Sequence, residues 1–279
     1  MKIKITFVLL LLAAGLSSRA QQLNIATYNI RYDSKADSVA GNGWQARYPH
    51  IAEIIRFKEL DVFGIQEGLY HQLTQLNDSL PGYKWIGAGR DDGKHGGEHS
   101  AIFYKEDKFK ILKSGDFWMS TVTDKPNKGW DAALPRICTW VQFKEIKTGL
   151  VFYFFNLHMD HVGVIARRES AKLVLEKVKQ MAGKVPAILT GDFNVDQTNE
   201  SYTLINTSGL LKDSYELSPV KLAPSSTFNS FDANTAGDKR IDHIFVTSKF
   251  KVTRYGIITN TYHGRVPSDH YPVVVTVKY

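Results

Sequence analysis

The chain has 279 residues, 43% of them hydrophobic and 12% aromatic, which is enough apolar material to bury a large core. Its single cysteine, Cys138, excludes an internal disulfide, so packing alone must hold the fold. The formal net charge of +7 includes no Lys/Arg run; this excludes a dedicated nucleic-acid arm while suiting a phosphate-bearing substrate.

The N-terminus reads as a signal peptide over residues 1–20. Lys2 and Lys4 precede the apolar run "ITFVLLLLAAGL", and Ser18 and Ala20 stand at the small-residue positions before a cut near Ala20. The run is shorter than the ~20 residues of a membrane span. An exported chain of residues 21–279, periplasmic or secreted, without a transmembrane segment and monomeric, is therefore expected. Loss of Lys2, Lys4 and Arg19 leaves it near +4.

Strands rich in Val, Ile, Phe, Tyr and Thr are predicted at 23–30, 61–66, 84–89, 100–105, 137–145, 150–158, 186–192, 240–247, 251–259 and 271–279. Helices are predicted at 44–59, where Ile51, Ile54 and Ile55 share a face, at 71–80, at 163–183, which Gly183 stops, and at 199–209. No element is assigned between 106 and 136. Many strands with interspersed helices indicate one α+β domain, a sandwich of two sheets with helices outside. Cys138, in the strand-like "RICTWVQF", reads as a small buried apolar residue.

The longest loops, 31–44, 87–99, 119–135, 158–164 and 219–239, mostly follow strands that end in polar residues. That recurrence implies one rim collecting Asn29, Glu67, His158, Asp192, Asn194, Asp242, Asp269 and His270. Singly, most have a plain structural explanation: Asn29 a satisfied turn amide, Glu67 a helix cap, Asp192 with Asn194 an Asx-turn. Asp242 differs, because Ile241, Ile244 and Phe245 around it imply burial, and a buried carboxylate needs a partner. Together the residues are an inventory for phosphoester hydrolysis. A hard divalent cation takes carboxylate and amide oxygens and keeps several waters. Asn29, Glu67 and Asp269 can supply one such site; Asp192 and Asn194 can supply a second or hold the attacking water. His158 and His270 remain for phosphate binding and proton transfer, with Glu98 and Asp242 to orient them.

The stretches "TYNIR", "GIQE", "NLHMDH", "GDFN", "RIDHIF" and "SDHYPV" occur in that order. From Leu23 to Tyr279 the chain resembles the deoxyribonuclease I-like endonuclease/exonuclease/phosphatase superfamily, as an exported bacterial member. The resemblance implies a four-layered α/β/β/α sandwich, two packed and mostly antiparallel sheets flanked by helices. It implies that Asn29 and Glu67 form a first metal pair, with Asp269 a further metal ligand. His158 would bind or protonate the phosphate, and Asp192 and Asn194 would position water and the transition state. Asp242 would orient His270, the general base in preference to Asp192. Glu98 looks like the acid that pairs with His158. Arg136 matches a basic residue facing the scissile phosphate, which a guanidinium suits. Mg²⁺ is the implied cofactor, with Mn²⁺ or Ca²⁺ as alternatives. Asp160 stays open between assisting a metal and capping the helix after Gly163. Arg31, Asp33, Asn42 and Trp44 resemble a pattern in exported bacterial members and carry no assigned task.

The substrate is less legible. The loops "GRDDGKHGG" and "STFNSFDANTAGDKR" are mixed in charge, and Asp91 and Asp92 would repel a long polyanion. A small or terminal phosphoester on a sugar, lipid headgroup, inositol or nucleotide is therefore favoured over DNA or RNA; Phe228, Phe231 and Trp130 read first as loop packing, with stacking on a sugar or base as the alternative. An extracellular or periplasmic nuclease is the alternative. A non-catalytic binding protein on the same fold would have lost Glu67, Asp192, Asp242 or His270, and all four are present.

Overall fold

The computed structural model describes residues 21–279; the expected leader and its cleavage site before Gln21 lie at or beyond that boundary. In chain order the elements are β1 (Gln22–Asn29), α1 (Lys35–Val39), α2 (Trp44–Phe57), β2 (Val62–Gln66), α3 (Tyr70–Asp78), β3 (Tyr83–Ile86), β4 (Ile102–Lys105), β5 (Phe109–Trp118), β6 (Ile137–Glu145) and β7 (Val151–His158). They continue with α4 (Val164–Ala182), β8 (Ala187–Asp192), α5 (Glu200–Asn206), β9 (Lys212–Asp213), α6 (Ser214–Leu217), β10 (Lys221–Leu222), β11 (Asp242–Val246), β12 (Lys251–Ile257) and β13 (Val273–Lys278).

Two sheets form, in the orders β10-β12-β13-β1-β2-β4-β3 and β5-β6-β7-β8-β11-β9. Most neighbours are antiparallel, but β1–β2, β7–β8 and the two-residue pair β10–β12 are parallel. A helix links each of the two longer parallel pairs, α2 between β1 and β2 and α4 between β7 and β8, as a parallel crossover allows.

Side-chain alternation sorts the apolar residues into layers. Leu23, Ile25, Val62, Phe152, Phe154, Ile188 and Ile244 point between the sheets. Ala26, Tyr28, Phe63 and Ile65 turn the other way, onto Ile51 and Ile55 of α2 and Leu73 and Leu76 of α3. Phe155, Leu157, Leu189 and Phe245 turn onto Ala171, Val174 and Val178 of α4 and Ile205 of α5. The result is the expected four-layered sandwich. Central strands are apolar on both faces because both faces are covered. Cys138 is buried in the layer under α4, as expected of a small apolar residue.

Near the functional rim the inter-sheet layer becomes polar. Gln66 Nε2 donates to Thr27 Oγ1 (3.0 Å) and Asn156 Oδ1 (2.6 Å). Asn156 Nδ2 donates to the carbonyls of Ile65 and Ala101, and Thr190 Oγ1 donates to Asn156 Oδ1. This buried network ties β2 to β7 and β8. It is reached only because position 64 is glycine: a Cβ there would overlap Asn156 Oδ1 and Thr190 Oγ1.

Gly183 ends α4 with a φ of 56°, matching its expected role as a stop. The strand expected at 84–89 is shorter, ending at Ile86. Three strands were unforeseen, the two-residue β9 and β10 and the ten-residue β5. Lys110, Lys113, Ser114, Gly115 and Asp116 break its alternation, and its pairing with β6 shifts register between Ile111 and Lys113. As an edge strand with one open side it needs no continuous apolar pattern. Among the described residues no helix is long and apolar enough to cross a membrane.

Candidate active site

The parallel strands β1, β2, β7 and β8 end at one rim of the sandwich. The antiparallel strands β11 and β13 begin there. Asn29 ends β1, and Glu67 follows β2. His158 and Asp192 end β7 and β8 as register partners. Asp242 opens β11 directly opposite Asp192. Asp269 and His270 precede β13. A cavity of about 540 Å³ opens here, lined by Arg31, Glu67, Glu98, Arg136, His158, Asp192, Asn194, Asp269 and His270, with Tyr32, Leu134, His161, Phe228 and Ile241 completing the wall. The rim residues expected from the sequence thus converge, with Asn29 and Asp242 buried immediately behind the lining.

The backbone is strained at this rim. Arg31, Glu67 and Asn194 have φ values of 57°, 63° and 52°, a region non-glycine residues rarely adopt. Such strain persists where surrounding bonds over-determine it. Asn29 Nδ2 donates to Glu67 Oε1 and to Asp192 Oδ2, both at 3.0 Å, and Tyr32 N donates to Glu67 Oε2 at 3.2 Å. Asn194 N donates to Asp192 Oδ1 at 2.9 Å. The plain Asx-turn reading of Asp192 and Asn194 is therefore correct as far as it goes. The other oxygen of Asp192 faces the cluster.

His270 stands between two carboxylates. Its Nδ1 lies 2.9 Å from Asp242 Oδ2, and its Nε2 lies 3.8 Å from Asp192 Oδ2. Burial opposes charge on this ring, but Asp242 and Asp192 outweigh it and hold the pKa up at about 10. Burial, and then the Asp242 charge, push Asp192 up to about 7. Both groups thus hold a proton more tightly than they would in water, and the pair shares its traffic. Burial, with Arg136 and Arg90 nearby, drives His158 well below the usual histidine range, so it is neutral. Asn194 Nδ2 donates to the Met159 carbonyl (2.9 Å) and approaches His158 Nε2 (3.1 Å), which leaves a lone pair on Nε2 and the ring hydrogen on Nδ1.

Two expectations need adjustment. Glu98 is not primarily the partner of His158. It makes a two-pronged ion pair with Arg90, at 2.6 and 2.7 Å, while His158 Nδ1 stays 3.8 Å away. A guanidinium fork outcompetes a neutral imidazole for a carboxylate. Nothing in the sequence flagged Arg90; the pairing follows from the loop doubling back, with Gly89 bridged to His99. Asp160 holds the start of α4. Its Oδ1 accepts from Val162 N and Gly163 N, and its Oδ2 lies 3.2 Å from Arg136 Nε, so its oxygens are committed to these partners. Arg136 itself faces the cavity, with Nη2 donating to His161 Nδ1 at 2.9 Å. Of the three stacking candidates only Phe228 lines the cavity; Phe231 packs on the inter-sheet core, and Trp130 is not part of the wall. Among the other histidines His99 is buried against the Gly68 carbonyl.

The donor set fits a hard divalent cation. Glu67 and Asp269 offer oxygens without a histidine, and Asn29, whose Nδ2 faces Glu67 while its Oδ1 accepts from Arg31 N, would add its oxygen once the amide is turned over. One nitrogen of Arg31 lies 3.9 Å from Glu67 Oε2 and 3.7 Å from Asp269 Oδ2, so a positive group already occupies the field of these two acids. Asp192, Asp242 and His270 also offer three ligand atoms within 4.8 Å of one another. There the ring nitrogen nearest a carboxylate is committed to Asp242, so the oxygen-only set suits Mg²⁺ better.

The family model described as Endonuclease/Exonuclease/phosphatase family matches residues 26–270. A mannosyl-6-phosphatase of Bacteroides thetaiotaomicron has a similar structure, with 53% identity, a TM-score of 0.91, and coverage of 92% of this chain and 100% of that one. An endonuclease/exonuclease/phosphatase protein of Bacteroides vulgatus is 39% identical with a TM-score of 0.88, covering 92% and 99%. Human nocturnin is 25% identical over 249 residues; these are 82% of this chain and 56% of nocturnin, so the chain spans about half of nocturnin's length.

Proposed function

Because the chain belongs to the endonuclease/exonuclease/phosphatase family and is a phosphoester hydrolase, we propose that it cleaves a small or terminal phosphoester, a sugar phosphate being the favoured class. The observation that carries this reading is the shape of the site. The cavity of about 540 Å³ has the size of a small-molecule pocket, typically ~300–1,000 Å³, and its wall converges on one cluster of charged groups. The 53% identical mannosyl-6-phosphatase supports the sugar class. The basic and aromatic residues of the wall, Arg31, Arg136, Tyr32 and Phe228, are gathered around one pocket, which suits a single phosphate group.

Asn29, Glu67 and Asp269 would hold a Mg²⁺ ion, which supplies neutralisation of phosphoryl charge when bound, with Mn²⁺ or Ca²⁺ as substitutes. Arg136 and Arg31 add positive charge to the same wall. Asp192, fixed by Asn29 and the Asn194 amide, orients the attacking water. Asp242 fixes His270 at Nδ1, so Nε2 faces Asp192. The water's proton passes to this Asp192–His270 pair, whose two members face each other across 3.8 Å. His158 stays neutral, with Nε2 held beside Asn194 and Asp192 and Nδ1 buried towards Glu98, and fixes the geometry of that wall.

The test is a substrate panel with and without Mg²⁺: hexose 6-phosphates, p-nitrophenyl phosphate, its bis-ester, DNA and RNA. Mg²⁺-dependent turnover of the monoesters, far above any nucleic-acid cleavage, is expected. Faster cleavage of DNA or RNA would replace this reading with that of a nuclease.

A further inference from the structure

We propose that His161 and Phe228 form a subsite for the alcohol half of the substrate, and that this half is a sugar; the proposal rests on the reading of the cavity as a small-phosphoester site. Neither residue belongs to the hydrolytic cluster, yet both line its cavity.

The chemistry of His161 is settled by its neighbour. A guanidinium has donors and no acceptor, so the 2.9 Å bond from Arg136 Nη2 requires a lone pair on His161 Nδ1. The ring hydrogen then sits on Nε2. Among the described residues Nε2 meets no hydrogen-bond partner, and the ring is exposed. Arg136 is itself buried and lies 3.2 Å from Asp160 through Nε, so the ring is anchored from below. His161 therefore presents one oriented N–H donor on the cavity wall. A substrate hydroxyl oxygen is the acceptor it fits.

Phe228 supplies an apolar face. Its side chain is 43% exposed, unlike most large apolar residues here. It is also immobilised. Phe228 is bridged to His270, Asn229 N donates to the Asp269 carbonyl (2.7 Å), and Tyr271 N donates to the Thr227 carbonyl (2.7 Å). Its ring meets His270 edge-on at 5.1 Å. The chain thus holds an exposed phenyl ring rigidly beside the reacting centre, at a cost in hydration that burial under a ligand would relieve. The other aromatic of the wall, Tyr32, has Arg31 over its face at 4.5 Å. One open aromatic face with a polar donor elsewhere on the wall matches a pyranose. Such a ring stacks through its C–H face and accepts hydrogen bonds at its hydroxyls. Phenyl esters offer a face and no hydroxyl.

The experiment compares hexose 6-phosphates, p-nitrophenyl phosphate and a nucleoside monophosphate in the Mg²⁺-loaded protein. His161→Ala is expected to lower kcat/KM for the best hexose phosphate by about 10-fold, mainly through KM, with about 2-fold change or less for p-nitrophenyl phosphate. His161→Gln, which keeps an N–H donor, should recover much of that loss. Phe228→Ala should act in the same direction, and Phe228→Trp should not. Equal losses on both esters, or none on either, would overturn the subsite. A nucleoside monophosphate preferred over every hexose phosphate would overturn the sugar assignment while leaving the small-ester reading intact. DNA preferred over all of them would instead sink that underlying reading. Independently of activity, nitrogen NMR of the metal-free protein should show His161 protonated on Nε2 alone; a proton on Nδ1 would break the geometry from which the donor is derived.

Discussion

Asp242 holds the proton chemistry through one bond of 2.9 Å to His270, and its other oxygen has no partner among the described residues. Replacing it with Asn keeps shape and removes charge. Asp242→Asn is expected to lower kcat by roughly 10²–10⁴-fold, the range for losing an oriented proton carrier, with unchanged circular dichroism. Wild-type turnover in that variant would remove the dyad from the mechanism. The same residues make a pH prediction. His270 rises on folding from 6.5 to about 10, so its contribution is full below pH 6.5 and is lost as pH climbs towards 10. Asp192 rises from 3.8 to about 7, so its favourable contribution is lost earlier, between those values. In EDTA, Tm should fall from pH 6.5 to 10 more steeply in wild type than in His270→Gln. Parallel curves would contradict the assignment. These residue types and their order were legible in the sequence. Their partners were less so: Glu98 serves Arg90 before His158, because a hairpin-like loop brings position 90 back to position 98.

At the scale of elements, the site depends on how closely β2 approaches β7 and β8. Gly64 permits that approach, and the Gln66–Asn156–Thr190 network occupies it. Gly64→Ala would drive a methyl group into Asn156 Oδ1 and Thr190 Oγ1 and is expected to cost about 1–3 kcal/mol, the usual range for overpacking. Chemical denaturation would measure it, and an unchanged midpoint would show that the sheets separate freely there. Most strands were readable because both faces are buried and their runs are continuously apolar. β5 was not, because an edge strand carries polar residues on its open side and a register shift breaks its period. Short elements such as α1 and α6 escape for a different reason: four or five residues contain too little periodicity to register.

On the scale of the molecule, two sheets deliver six strand ends to one rim, and metal dependence follows from the oxygen donors gathered there. EDTA is expected to silence turnover, and Mg²⁺ or Mn²⁺ to restore it. Full activity in chelator would remove the metal from the account. Export remains a proposal resting on residues 1–20, and N-terminal sequencing of the protein expressed with its leader in a bacterium should find a start near Gln21; an intact Met1 in the processed fraction would refute it. The sequence by itself determined the α+β class, most of the strands, and the ordered acids, amides and histidines, because apolar periodicity and residue chemistry are local properties. Only the tertiary structure decided which groups pair, that Asp160 anchors α4 and Arg136, and that Arg136 donates to His161 Nδ1 at the cavity wall. Those outcomes depend on sheet register and loop closure, which set distances of a few ångströms between residues far apart along the chain.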